Sequence, residues 1–140
     1  MAMIFDRIAI IGAGLIGASI VRAAQASGAA NTIHVYDADP AVRARAREIG
    51  LGEVFDDPEK AVAMAELVVL ATPVGAMGAA AAACARGLKI GAIVTDVGSV
   101  KQAVVTAVAA NLPTYVYFVP GHPLAGTEHS GPDAGFATLF

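Results

Sequence analysis

Gly12, Gly14 and Gly17 recur as Gly-x-Gly-x-x-Gly directly after a short apolar run and directly before an alanine-rich stretch. The first glycine permits a tight turn, the second lets the backbone approach a pyrophosphate, and the third lets a helix pack closely on a sheet. Leu15 and Ile16 occupy the places between them, at the start of a helix whose free N–H groups face the anion. Such a pattern by itself also serves ordinary turns. Asp37, however, stands twenty residues beyond Gly17, where a carboxylate accepts hydrogen bonds from an adenosine ribose. The pair predicts a dinucleotide site. A carboxylate at that place repels a ribose 2′-phosphate, so NAD is expected and NADP disfavoured; Arg43 or Arg45 would weaken the preference.

Three further groups carry polar chemistry. Thr72-Pro73 is either a cofactor-lining turn or a helix start with proline near the first helical position. In Asp96-Val97-Gly98-Ser99-Val100-Lys101, Ser99 suits a helix N-cap, a role compatible with a hydroxyl that faces substrate. His122 sits between Gly121 and Pro123 at the end of an apolar run, and histidine is the side chain best suited to take a hydroxyl proton near neutral pH. His34, inside an apolar run, reads as a packed or edge histidine and His129 as loop surface. No metal site is expected, because His122 and His129 do not have the spacing of a ligand pair on one helix face. Cys84 reads as small core filler, and no Gly-x-Ser-x-Gly nucleophile turn occurs.

The elements that must position these residues follow from periodicity. Strands are predicted at residues 7–11, 32–36, 67–70, 93–95 and 115–119, with a stub at 54–55. Helices are predicted at 15–26, from Pro40 behind an Asp39 cap, from Asp57 toward Met64, at 74–85 and at 100–109. Strands alternating with helices predict an α/β fold: a doubly wound, mostly parallel sheet of Rossmann type with helices on both faces. Ligands of such sheets bind at the carboxyl ends of the strands. Gly12, Asp37, Thr72, Asp96, Ser99 and His122 each follow a strand end, so one crevice should collect them.

Composition narrows the partners. The chain has 140 residues, 56% hydrophobic and 15% charged, with a net charge of -3, which suits one domain and offers no basic footprint for nucleic acid. Mean hydropathy is high at +0.65, yet the longest apolar stretch, residues 61–85, is broken by Glu66 and Pro73, so no membrane span is expected. One cysteine and no signal-like N-terminus point to the cytoplasm. A small-molecule substrate is the expected partner.

Residues 10–17, Asp37, Thr72-Pro73, the stretch from Asp96 to Lys101, and Gly121-His122-Pro123-Leu124-Ala125-Gly126-Thr127-Glu128, in this order and spacing, resemble the prephenate and arogenate dehydrogenase family of tyrosine biosynthesis. The resemblance covers essentially the whole chain. It implies NAD-dependent oxidative decarboxylation of prephenate to 4-hydroxyphenylpyruvate, or of arogenate to tyrosine. It implies that His122 takes the proton of the substrate hydroxyl, that Ser99 contacts the same hydroxyl, and that Thr127 and Glu128 lie near the substrate. Lys101 is expected to pair structurally with a carboxylate in the first helix turn. Family members continue with further strands and a helical dimerisation domain. Residues 1–140 are therefore expected to be an NAD(P)-binding domain that ends before the final strands of its sheet, without the helical domain, leaving an open substrate pocket, a bare sheet edge and an apolar patch. The full-length enzyme is expected to be a homodimer. The alternative from another class is a non-catalytic NAD-sensing module, which needs Gly12, Gly14, Gly17 and Asp37 but neither Ser99 nor His122.

Overall fold

Strands and helices alternate along the chain: β1 Phe5–Ile11, α1 Leu15–Ser27, β2 Ala30–Tyr36, α2 Pro40–Glu48, β3 Glu53–Val54, α3 Pro58–Val62, β4 Leu67–Leu70, α4 Met77–Cys84, β5 Ile93–Asp96, α5 Lys101–Ala109 and β6 Tyr117–Val119. The computed structural model describes residues 3–122 and 130–139; Thr127, Glu128 and His129 lie outside the described residues. The strands form one parallel sheet in the order β3-β2-β1-β4-β5-β6. The order reverses between β1 and β4, which makes their carboxyl ends the switch point where a crevice opens. The fold is thus the Rossmann-like doubly wound sheet that the alternation predicted.

Period-two alternation explains why both faces are covered. Ala9 and Ile11 of β1, Val68 and Leu70 of β4 and Val94 of β5 pack with Ala61 and Val62 of α3, Met77, Ala81 and Cys84 of α4, and Val104 and Val108 of α5. Ile8 and Ile10, Ile33 and Val35, and Val69 point the other way, into Ala18, Val21 and Ala24 of α1 and Ala46 of α2. Each fully buried valine or isoleucine contributes about 1.5–3 kcal/mol. Caps set the helix ends. Asp39 Oδ1 accepts from Ala41 N at 2.9 Å ahead of Pro40, and Asp57 Oδ1 accepts from Glu59 N at 2.9 Å ahead of Pro58. Gly28, at φ 68°, closes α1 through its N–H to Ala24 O.

Several expected boundaries shift for identifiable reasons. The helix expected at residues 74–85 is a 3₁₀ turn, Val74–Ala76, then α4, then a second 3₁₀ turn, Ala85–Gly87. Pro73 precedes that first turn as its cap, so it does not occupy a first helical position. Ser99 does not cap α5; the cap is Val100, and Asp96 Oδ2 instead accepts from Gly98 N at 2.7 Å, closing the turn before the helix. β6 begins at Tyr117 because Val116 N donates back to Pro113 O at 3.5 Å in a turn. β6 is an edge strand with Tyr117 66% and Val119 54% exposed.

His34 is one of the buried titratable groups, with Cys84 and Asp96. It lies between Ile33 and Val35 on the face toward α3, donates from Nδ1 to Ala61 O at 2.9 Å, and packs on Phe55 with ring centroids 4.3 Å apart. Burial, above all, pushes its pKa below the ordinary 6.5, aided by the nearby Arg7 charge and opposed by the Ala61 bond and Glu53. In the unfolded chain the imidazole takes up a proton near pH 6.5, whereas the folded chain resists it. Stability is therefore expected to hold above that pH and to decline as pH falls through 6.5 toward the folded value. Urea midpoints at pH 7.5 and 5.5 check this. His34→Phe is expected to flatten the difference, and an unchanged difference would show that another group titrates.

Candidate functional site

The crevice at the switch point has a volume of about 660 Å³ and is lined by strand-end residues. The β1 end and the start of α1 supply Gly12, Gly14, Leu15 and Ile16, and the β2 end supplies Asp37. Thr72 and Pro73 follow β4, Ser99 follows β5, and His122 follows β6. One crevice thus collects nearly all the described residues singled out in the sequence. Gly17 and Asp96 are the exceptions: Asp96 is buried at the end of β5 and does not line the crevice, and Gly17 is buried against the sheet, where an added Cβ would stand 1.9 Å from Gly12 O. Gly12 itself has φ +104°, and a Cβ there would meet Ala71 C and O at 2.7 Å. The two central strand ends therefore approach so closely that only glycine fits.

Backbone donors hold Asp37 in place. Ala13 N donates to its Oδ2 and Asp39 N to its Oδ1, each at 2.9 Å. The carboxylate is thereby anchored beside the glycine turn while it lines the crevice. The two arginines that would have weakened NAD preference are each held by hydrogen bonds and carboxylates. Arg43 donates from Nη1 to Asp37 O at 2.8 Å and from Nε to Asp56 Oδ1 at 3.0 Å, with its guanidinium 5.7 Å from the Tyr36 ring centroid. Asp56 also pairs with Arg47, and these two cations hold its carboxyl below the usual range. Arg45 grips Asp133 through Nε and Nη2, at 2.8–3.1 Å, and Glu48 through Nη1 at 2.9 Å. The Asp133 grip anchors the 3₁₀ turn Pro132–Ala134 on α2, and Phe136 N donates to Ser19 Oγ of α1 at 3.0 Å.

Two features of the crevice call for a ligand. The N-terminus of α1 has no side-chain cap and no acidic residue in its first turn among the described residues, so its N–H groups and partial positive charge face the crevice unmet. Thr72 Oγ1 is buried and makes no hydrogen bond among the described residues, although a buried hydroxyl ordinarily finds a partner. Both suit a diphosphate-containing nucleotide, and Gly14 leaves open space where a Cβ would meet nothing within 4 Å.

Residues not singled out as site residues also line the crevice, among them Ala38, Val42, Val97 and Gly98. Asp39, recognised only as a cap, lies there too. Nothing in the residue types of Val42 and Val97 distinguishes them from core valines. Cys84 faces the core, where burial, with a lesser contribution from Glu59, pushes its thiol up to about 12, so it is no nucleophile. Among the described residues no group of three or more His, Cys, Asp or Glu side chains is placed to hold a metal ion, and no helix is long and apolar enough to cross a membrane.

Residues 20–140 match the family model described as prephenate dehydrogenase, nucleotide-binding domain. The cyclohexadienyl dehydrogenase of Zymomonas mobilis is 52% identical over 138 residues, or 98% of this chain and 47% of that enzyme. The crystal structure of Aquifex aeolicus prephenate dehydrogenase in complex with hydroxyphenyl propionate and NAD+ superposes with a TM-score of 0.84 at 30% identity, over 100% of this chain and 48% of that one. Synechocystis arogenate dehydrogenase superposes with a TM-score of 0.84 at 30% identity, over 96% of this chain and 46% of that one. The chain spans less than half the length of the curated relatives it matches. A match of this extent, on a sheet whose crevice gathers the glycine turn, Asp37, Ser99 and His122, means that the chain belongs to the family of prephenate dehydrogenase nucleotide-binding domains.

Proposed function

We propose that this chain is the NAD-binding part of a dehydrogenase that oxidatively decarboxylates prephenate or arogenate. The observation that carries the reading is the meeting of Ser99 and His122, from two separate strand ends, in the crevice that also holds the glycine turn and Asp37. A module that only sensed NAD would need neither side chain there. The α1 N-terminus and Gly14 would receive the pyrophosphate, Asp37 the adenosine ribose, and Thr72 and Pro73 the nicotinamide side. NAD, when bound, supplies the hydride acceptor.

The remaining chemistry falls to the chain. His122 takes the hydroxyl proton of the substrate, and Ser99 holds the same hydroxyl toward it. Carbon dioxide then leaves and the ring becomes aromatic, a sink that requires no metal. Thr127 and Glu128 contribute to the substrate loop. NAD is preferred over NADP because Asp37 repels a 2′-phosphate while Asp56 and Asp133 hold Arg43 and Arg45. The full-length enzyme acts in the cytoplasm, consistent with a lone thiol and no partner for a bridge, and as a homodimer, as the resemblance implies.

Calorimetric titration of the 140-residue chain is expected to show NAD binding roughly tenfold or more tighter than NADP. NADH formation from prephenate or arogenate by this chain alone is expected to be negligible, since its relatives are more than twice its length. Failure to bind either nucleotide would overturn the cofactor assignment. Equal NADP affinity would overturn the role given to Asp37, and substantial turnover would show that residues 1–140 carry a complete active site.

A further inference from the structure

We infer that Asp96 and Lys101 form a clamp that positions His122, a role that rests on the proposed reading of His122 as the base. Asp96 ends β5 and its side chain is 0% exposed. Its Oδ2 accepts from Gly98 N at 2.7 Å and from Lys101 Nζ, and its Oδ1 accepts from Gly121 N at 3.3 Å. Lys101 Nζ also donates to Gly121 O. One ion pair, with its carboxylate buried and its lysine partly exposed, therefore grips both the N–H and the C=O of the single residue that precedes His122.

The chemistry of the position explains why such a grip matters. Glycine is the residue with the widest backbone freedom, so a histidine carried immediately behind one would wander unless the glycine were held. The peptide group between Gly121 and His122 contains the carbonyl that Lys101 holds, so its orientation is set together with the direction in which His122 leaves the backbone. The fit is close on the other side as well. A Cβ on Gly121 would stand 2.8 Å from Asp96 O and 3.2 Å from Thr95 Oγ1, so the loop after β6 is pressed against the end of β5. An exposed lysine–carboxylate pair contributes little to stability. Here the carboxylate is buried and satisfied by donors from three separate residues, and removing the cation would leave an uncompensated buried charge at the end of β5. Ser99 directly follows the turn that this carboxylate closes, so the same pair ties together the two strand ends that present Ser99 and His122.

Lys101 and Asp96 are thus positioning residues rather than groups that touch substrate. In the full-length dehydrogenase, Lys101→Met is expected to lower kcat by about 10²-fold, the cost of an angstrom-scale misplacement, with the Kd for NAD unchanged within about twofold. Lys101→Arg, which keeps a charged donor, is expected to recover part of that loss, as a merely structural lysine would not. Unchanged kcat in Lys101→Met beside an inactive His122→Ala would overturn the clamp alone, whereas a fully active His122→Ala would overturn the reading beneath it. Should Lys101→Met fail to fold, the unsubstituted chain decides. Backbone amide order parameters near about 0.85 are expected at Gly121 and His122, and values below about 0.6 would overturn the clamp.

Discussion

His122→Ala in the full-length dehydrogenase is expected to reduce turnover by about 10²–10⁴-fold, the contribution of a positioned general base. The Kd for NAD is expected to stay within about twofold. The two readouts separate because His122 belongs to the end of β6, at one limit of the sheet order, while Gly12, Gly14 and Asp37 belong to β1 and β2. Its side chain is exposed and lines the crevice, so truncation removes no core packing. Steady-state kinetics with prephenate and arogenate, alongside calorimetry with NAD, measure both quantities. Loss of NAD binding in this variant would mean that the histidine shapes the cofactor site, and retained turnover would place the base elsewhere.

The second large effect is structural. An alanine at Gly17 would put its Cβ 1.9 Å from the Gly12 carbonyl oxygen and 3.2 Å from the Ala71 side chain. Neither neighbour can yield easily: Gly12 is itself wedged against the Ala71 backbone, and Ala71 N donates to Ile11 O at 2.7 Å. Helix α1 would have to lift away from the sheet, taking its N-terminus out of line with the crevice. Gly17→Ala is therefore expected to destabilise the chain by about 3 kcal/mol or more, with NAD affinity falling as well. Gly14→Ala provides the contrast. A Cβ there meets no protein atom within 4 Å, so stability should be kept while the space needed by the pyrophosphate is filled and NAD affinity falls. Urea denaturation and NAD titration of both variants test the division; a Gly17→Ala chain as stable as its parent would refute it.

The fold was legible because its determinants are local or periodic. Ile8 to Ile11 alternate between two apolar faces, Asp39 and Asp57 stand before prolines as caps, and Gly28 stops α1. Boundaries were less legible where backbone bonding competed with the pattern. Asp96 captured the Gly98 amide, which left the α5 cap to Val100, and the Pro113 turn delayed β6. Lys101 shows the same limit in a side chain: a partner in its own helix turn was expected, yet it reaches back to Asp96 and across to Gly121.

By itself, the sequence determined the alternation of strands and helices, and with it the gathering of Gly12, Asp37, Thr72, Ser99 and His122 at the strand ends. Only the tertiary structure decided that Arg43 and Arg45 are held by Asp56 and Asp133, and that Asp96 and Lys101 grip the residue before His122. The physical reason is range. Caps, turns and periodicity act over a few residues and are written in neighbouring side chains. Arg45 and Asp133, by contrast, are 88 residues apart, and their meeting depends on strand register, sheet twist and the path of the chain across two helices.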